Sequence, residues 1–520
     1  MTSTFHGLET ALRAIHSQQR ALQTLSHNVA NANTPGYTRQ RVNFEASNGF
    51  PAVGRNQPQI PGHLGSGVEV GDIQRIRNEF FDYRFRTEQT KASYWGNRFD
   101  SISRLEGLMN VQSDNGLPTA FNEFFNSLQT LAKDASDLGA RSVVRQNGMA
   151  LANTFNYLHE NITEFQRQAK NEISQSADEI NSMLERINGI NKQIGEVEPH
   201  GYVPNDLYDK RDMLVDALSS LVNIKTTEIR PGGNASSVAE GKISIEIVKE
   251  SGASYDPPIQ LLNGKSNEFN EFSVTFDGEN GPVNGFAIGD TTFSFNDAAV
   301  DLPAGTLKAK VEAYGYTKQG QEAGIYPDMM KELDKLAYTF AKAFNTQHSE
   351  GISLVEMDSD EEDIINFFVG EGFTFAEDES FEGFAGKMRV SQEIMDNADL
   401  IAAASNEFSG DGGNAQALAD LMKSELDFGD GSEFTFTDYY EKIIGTMGVT
   451  AAEAETLRDN SQLALLQVDL NRQAVSGVSL DEEMTNMVKF QHAYNAAART
   501  MTAVDEMLDR IINGMGRVGR

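Results

Sequence analysis

Few of the residues that ordinarily do chemistry stand in a pattern that would let them do it. The chain has eight histidines and no cysteine, so disulfides, thiolate nucleophiles and Cys-based metal sites are excluded together. His159-Glu160 begins a zinc-protease motif, but Thr163 stands where the second His belongs. Gly65-Ser66-Gly67 misses the spacing of a dinucleotide loop, and no strand-then-helix frame surrounds it. Gly241-Lys242 is no phosphate loop, because Ser236 occupies its first Gly position and Ile243 replaces the Ser or Thr. Asp427-Phe428-Gly429 imitates a kinase motif without the catalytic or Gly-rich loop that would accompany it. Asp358, Asp360 and Glu362 imitate the first ligands of a calcium loop. That loop fails at Asp363, where Gly is needed, and at Val369, where a bidentate Glu is needed. No G-x-S-x-G elbow is present, and with 76 Asp and Glu any two carboxylates look paired. We expect no enzyme, and no catalytic, cofactor or metal site.

What the chain does carry is apolar residues at helical spacing, whose chemistry is association. Leu480, Met487, Tyr494, Met501, Leu508 and Met515 recur at sevens, and Phe490, Ala497, Val504, Ile511 and Val518 recur at the same interval offset by three. Such an a/d seam winds a helix against a partner. It begins at Ser479, with Glu482 three residues on as a capping box. Met484 and Met487 add soft, adaptable side chains. The other end of the chain matches it. Leu8, Ile15, Leu22 and Val29, with Ala11, Gln18, Leu25 and Ala32, form a second narrow seam, and Leu12 is a further apolar residue beside it. The two ends can pair as a coiled coil, bringing both termini together and making everything between them an excursion.

Composition bounds the rest. At 520 residues, more than one domain is expected. No run of apolar residues is long enough to span a membrane, and the first residues lack the apolar core and cleavage site of a secretory signal. The net charge of −33 excludes a nucleic-acid partner. It is uneven: 12 bases face 9 acids over residues 1–110, whereas 21 acids face 3 bases over 351–435. Such a block reads as solvated outer surface.

Along the chain, a helix over 5–33 ends in a run of Asn at 28, 31 and 33, then Thr34, Pro35, Gly36 and Tyr37. Pro35 cannot continue the helix, and Gly36 permits a turn that other residues resist. Gly and Pro at 51, 54, 58, 61, 62, 65 and 67 imply extended chain or short strands up to about 75. Helices follow to about 222. The longest carries Val144, Leu151, Leu158 and Phe165, then Ile173, Ile180, Ile187 and Ile194, two sets at sevens separated by a stutter. Period-two runs such as Ile243 to Ile247 and Phe272 to Phe276 suggest an antiparallel β domain over 223–318. Helix returns at about 326–348, and 386–475 reads as mixed helix. The expected fold is mainly α with inserted β: terminal coiled-coil segments 1–35 and 479–520, a long-helix body over 36–222, 319–350 and 386–478, the β insertion, and an acidic loop or small insertion at 351–385.

The run Asn28 to Tyr37 closely resembles the N-terminal signature of the bacterial flagellar axial proteins of rod, hook and junction, and the C-terminal heptads resemble the other terminal signature of that group. Within it, Ser476-Gly477-Val478-Ser479-Leu480-Asp481-Glu482-Glu483 resembles the hook-associated protein 1 family. So do Asn205-Asp206-Leu207-Tyr208-Asp209-Lys210-Arg211-Asp212, Leu333-Asp334-Lys335-Leu336-Ala337 and Phe344-Asn345-Thr346-Gln347-His348. The resemblance covers residues 1–222, about 325–350 and 435–520, and thins in the acidic centre. It implies a structural subunit at the junction between hook and filament. Its partners would be its own copies, the hook protein below, the second junction protein above, and a cytoplasmic export chaperone on the C-terminal helix, without nucleic acid or membrane. It also implies extracellular location after flagellar type III export without signal cleavage. The assembly residues would be the two seams, including Leu480, Met484, Met487, Phe490, Tyr494, Met501, Val504, Leu508 and Ile511. Another axial subunit, of hook or distal rod, and a soluble coiled-coil binding protein or adhesin remain alternatives at this point.

Overall fold

The computed structural model describes residues 4–49, 65–109, 116–297, 300–358, 365–375, 380–429, 431 and 433–514. The calcium-loop imitators Asp360, Glu362 and Asp363, the turn residues at 51–62, and the last seam residues Met515 and Val518 lie outside these. In chain order the elements are α1 (Thr4–Ala30), β1 (Gln40–Ala46), β2 (Val68–Arg75), α2 (Glu79–Met109), α3 (Leu117–Leu131), α4 (Leu138–Val197) and α5 (Asn205–Leu221). Strands β3 (Ile224–Ile229), β4 (Lys242–Val248), β5 (Ser254–Asn263), β6 (Glu268–Phe269), β7 (Phe272–Phe276), β8 (Val283–Ile288) and β9 (Thr291–Ser294) follow. After α6 (Thr306–Tyr314), β10 (Tyr316–Lys318) and β11 (Gln321–Ala323) come α7 (Ile325–Ser349), α8 (Leu354–Asp358), β12 (Phe368–Gly370), β13 (Met388–Val390), α9 (Gln392–Asp396) and α10 (Gly413–Asp420). The short strands β14 (Leu426–Asp427) and β15 (Glu433–Phe434) precede the long α11 (Phe436–Ser476) and α12 (Leu480–Gly514).

The chain divides into two compact units. The first takes 1–91, 179–272 and 462–520, and the second takes 92–178 and 273–461. In the first, α1 and α12 lie antiparallel. Gly7 faces Val504 and Asn28 meets Glu483, equal steps along both helices. The expected pairing of the chain's ends is therefore present, with the N-terminal end of α1 beside the C-terminal part of α12. The hairpin β1–β2 packs on α1: the Ser17 hydroxyl donates to Val68 O, and Gly67 sits against Thr10. Phe44 of β1 meets the Phe490 ring edge-on. Strands β3 to β6 form an antiparallel sheet in sequence order. Ile243, Ile245 and Ile247 alternate inward along β4, as their spacing requires.

The second unit is built on aromatic residues. Phe121, Phe124 and Phe125 of α3 meet Phe340 and Phe344 of α7, Phe367, Phe368 and Phe436, in edge and tilted arrangements except for Phe121 and Phe436, which stack. Phe367, Phe368 and Phe384 come from the acidic stretch, so that stretch supplies core as well as charged surface. Three side chains of α7 hold it there. Asp334 accepts from Gly383 N and Ala385 N, Asn345 exchanges two hydrogen bonds with the Phe368 backbone, and His348 lies between Ile365 O and Ala402 N. A second sheet runs β11-β10-β8-β7 with β9 on β8, and β10 pairs parallel to β8. The alternating runs read from the sequence thus occur in two sheets.

Several elements differ in extent from their sequence reading. The helix α4 runs unbroken for 60 residues. The stutter is absorbed by buried Ile162, while Phe165 is only half buried. The stretch read as mixed helix contains α11, a single helix of 41 residues. Its last turns carry Leu463, Leu466 and Leu470, which point to solvent. Phe428 of the kinase-like triplet is core, stacked 3.9 Å from the Tyr439 ring.

Candidate functional site: the tie between the two ends

The signature after α1 is a hydrogen-bonded junction. Asn31 N donates to His27 O and Thr34 N to Asn31 O, so the helix unwinds in overlapping turns. Gly36 follows at φ 75°, a backbone state that costs other L residues about 1 kcal/mol or more. The turn reverses the chain so that Tyr37, Arg39 and Gln40 run back past the end of α1. Asn28, fully buried, is the centre of the turn. Its Oδ1 accepts from Gln40 N at 3.0 Å and from the Tyr37 hydroxyl at 2.8 Å, and its Nδ2 donates to Gln40 O at 2.8 Å and to Glu483 Oε2 at 3.2 Å. An amide has this balance of donors and acceptors, and a carboxylate does not.

Glu483 and Arg39 carry the tie to the other end of the chain. Arg39 N donates to Ser476 O, the last residue of α11, at 2.9 Å. Its Nε donates to buried Glu483 at 2.7 Å, and its two terminal nitrogens fork onto Glu482 at 3.0 and 2.6 Å. Glu482, read as one half of a capping box, is committed to Arg39. Arg39 therefore touches the last turn of α11 and the first turn of α12, on either side of the break at Gly477. The Tyr37 phenol is pushed up from its ordinary value by burial and by the carboxylates Asp209, Asp206 and Glu483, so it stays a donor.

The first turns of α5 hold the same segment from below. Thr38 N donates to Asp209, and the Gln40 side chain to Asp206. Asn205 donates to Ile73 O of β2. Beyond it lies a buried ionic cluster. Arg75 reaches Asp209 at 2.6 Å, Asp212 at 2.9 Å and Glu240 at 2.6 Å, and Arg77 reaches Asp212 at 2.7 Å and Asp82 at 2.6 Å. Asp216 bridges Arg86 at 2.8 Å and Arg472 of α11 at 2.6 Å. Burial alone would raise Asp212, but Arg77, Arg75, Arg211 and Arg86 outweigh it and hold the carboxyl far below the ordinary range. For Asp209 the balance reverses, and burial keeps its carboxyl above the ordinary value despite Arg75. A cavity of about 830 Å³ beside the cluster is walled by Arg77, Asp82, Arg86 and Asp212, charges already paired with one another. Among the described residues no three His, Asp or Glu are placed to hold a metal ion.

The residues of the two seams divide by position. Leu25 and Leu508 are buried; Leu8, Ile15, Leu22 and Val29, and Met487, Phe490, Tyr494, Met501 and Val504, are half buried between the helices or under the hairpin. Leu12, Leu480, Met484 and Ile511 are exposed. Leu12 and Met484 fall one position past an a/d residue, about 100° around the helix, which turns them out of the pair. Of the signature, Asn31 and Tyr37 are half buried, and Asn33, Thr34, Pro35 and Gly36 are exposed. Sequence reasoning did not single out Arg39, Arg75 or Glu483 as a tie. The available signal was the charge of Arg39 and Arg75 in extended segments, and the place of Glu483 seven residues before Phe490, at a seam position of the C-terminal heptads.

Ends tied in this way around long helices are the design of a flagellar axial protein. Residues 8–38 match the family model "Flagella basal body rod protein", and residues 472–514 match "Flagellar basal body rod FlgEFG protein C-terminal". Between them, residues 102–364 match "Flagellar hook-associated protein FlgK helical domain". The chain belongs to the flagellar hook-associated protein 1 family. It is 44% identical to flagellar hook-associated protein 1 of Bacillus subtilis (strain 168), with 100% of both chains covered. It is 25% identical to the protein of that name from Escherichia coli (strain K12), over 97% of this chain and 99% of that one. The fold is similar to that of the flagellar hook junction protein FlgK from Burkholderia pseudomallei, with a TM-score of 0.59 and 15% identity, over 76% of this chain and 100% of that one. The family is one of flagellar structural proteins rather than enzymes. No described helix is long and apolar enough to cross a membrane.

Proposed function

We propose that this chain is a structural subunit that assembles at the distal end of the flagellar hook and forms the junction between hook and filament. The observation that carries the reading is full-length likeness to a hook-associated protein 1, from the first seam to the last. In the assembly, α1 and α12 line the inner tube, and the helical body forms the next shell. The β-rich and acidic segments face outward, where charge keeps the surface soluble. A pair of narrow seams is a marginal structure in isolation. Neighbouring copies complete it, and Leu12, Leu480, Met484 and Ile511 are the exposed residues they would cover. The partners are further copies of the chain, the hook protein below and the second junction protein above. Before export a dedicated chaperone would cover the seam of α12 in the cytoplasm. Export would follow the flagellar type III route without cleavage.

The test is hook-tip binding. Isolated hooks lacking their caps are mixed with the full chain and with a version lacking 1–40 and 479–520, and electron microscopy scores a new distal layer. A layer with the full chain alone is expected. A layer with both would keep the role and move the assembly contacts into the body. No layer from a folded chain on a matching hook would discard the role.

A further inference from the structure

We propose that copies of this chain associate through a heterologous contact, in which the outward face of the end of α11 in one copy docks on the first turns of α2 in the next. The proposal rests on the multi-copy assembly proposed above and names the surfaces that build it.

Leu463, Leu466 and Leu470 are 65%, 55% and 52% exposed and follow one another at three and four residues, one stripe on one helix face. Their exposed neighbours Gln462, Gln467 and Asn471 are uncharged, and exposed Asp459, one turn before Leu463, is paired with Arg458 at 2.8 Å. Asp469, the acid within this span, is taken up by Arg472 at 3.2 Å. On a chain of net charge −33, an exposed helical face without free charge is a marked local departure. Depletion of charge around an apolar centre is the mark of an interface core. It also removes the repulsion that two such acidic chains would otherwise meet on approach.

The opposite side of the same helix is already occupied. The Arg472 guanidinium lies 3.6 Å from the centre of the Phe85 ring of α2, pairs with Asp216 and comes within 3.9 Å of Asp82. At about 100° per residue, Leu470 lies roughly 160° around α11 from Arg472, and Tyr83 lies roughly 160° around α2 from Phe85. The faces of α2 and α11 that carry exposed apolar residues therefore both point away from their mutual contact, in opposite directions. On α2 the residues are Phe80 and Tyr83, 59% and 49% exposed, with Arg84 set 5.9 Å over the Phe80 ring. Aromatic rings and Arg are the residues enriched where interfaces concentrate their energy.

Two unlike patches on opposite sides of one layer suit a particular geometry. A two-fold dimer needs one self-complementary patch, whereas a ring or helical layer needs two different patches that mate head to tail. The leucine and amide stripe and the aromatic and guanidinium patch are such a pair, and the occupant of the first is the second in a neighbouring copy.

The absence of cysteine makes the test direct. Tyr83→Cys and Leu466→Cys are placed in one chain supplied as the sole copy to flagellated cells, and a short bis-maleimide is added. A ladder of covalent multimers is expected from the double variant. A mixture of the two single variants should stop at dimers, and neither single variant alone should cross-link. Swimming cells without a ladder would overturn the contact and leave the junction role standing. A dimer from Leu466→Cys alone would overturn it in favour of a two-fold contact. A ladder in concentrated purified chain that forms no layer on hooks would keep the contact and discard the junction role. Independently, Leu466→Asp should abolish swimming while leaving the melting profile unchanged, and full swimming by that variant would count against the stripe.

Discussion

Asn28 exchanges its four hydrogen bonds with three residues on two segments, and two of these partners, Gln40 and Glu483, are buried. Asn28→Ala should cost about 3 kcal/mol, because it takes a partner from the buried Gln40 N–H and C=O and from one oxygen of Glu483. A urea titration of the purified chain would show it, and a loss below about 1 kcal/mol would mean that water replaces the amide. His348 offers a second residue-scale prediction. It is buried and neutral: Nδ1 donates to Ile365 O at 3.0 Å, and Nε2 accepts from Ala402 N at 3.0 Å. Burial first, and the nearby Arg141 guanidinium, push its pKa down from 6.5 to about 4, against the Ile365 carbonyl. The folded chain binds the proton less well than the unfolded chain. The contribution is therefore complete above pH 6.5 and is lost as pH falls from there toward 4, to a total of about 3 kcal/mol. Stability measured against pH should slope over this window in the wild type and flatten in His348→Gln. Equal slopes would place the acid sensitivity elsewhere.

At the scale of elements, α12 has two faces with separate tasks. Met487 sits half buried toward α1, whereas Met484 is exposed. Met484→Ser should change monomer stability by less than about 0.5 kcal/mol. Tyr494→Asp with Met501→Asp, placed on the seam, should abolish hook-tip layers while the cooperative melting of the rest of the chain survives. Loss of that melting transition would mean that α12 supports the fold as well as the assembly. The hairpin β1–β2 gives α1 a second packed side, and this is why α1 buries Ser17, Ala21 and Thr24 beyond its heptad residues. A heptad reading sees one face at a time and could not show this.

At the scale of the whole molecule, the two compact units should unfold as two transitions, since each has its own core. Asp212 anchors the first unit with ion pairs or close approaches to Arg75, Arg77, Arg86 and Arg211. Asp212→Ala should destabilise that unit by about 3–5 kcal/mol, by leaving buried guanidiniums uncompensated, and move only one of two calorimetric peaks. A shift of both peaks would show that the units unfold together. The His348 substitution should act on the other peak.

The sequence alone determined the long helices α1, α4 and α12, the pairing of the chain's ends and the membership implied by its motifs, because each rests on local spacing: apolar residues at sevens, a Pro-Gly helix exit, contiguous signatures. It also showed the apolar faces of α3 and α7, since Phe121, Phe124, Phe125, Phe340 and Phe344 recur at helical intervals and are all buried. Only the tertiary structure decided what the motif residues do. Asp209 and Asp212 meet Arg75 and Arg77 across more than a hundred residues of chain, and Glu483 meets Asn28 and Arg39 across more than four hundred. A charge carries no periodicity that names its partner. The same limit hid the role of the acidic stretch, where composition reads as surface while Phe367, Phe368 and Phe384 enter the core through backbone bonds to Asp334 and Asn345. It also hid the direction of Leu463, Leu466 and Leu470. An apolar stripe looks the same in sequence whether it is buried or exposed, and only the neighbours packed on the other side of the helix show which face is left free.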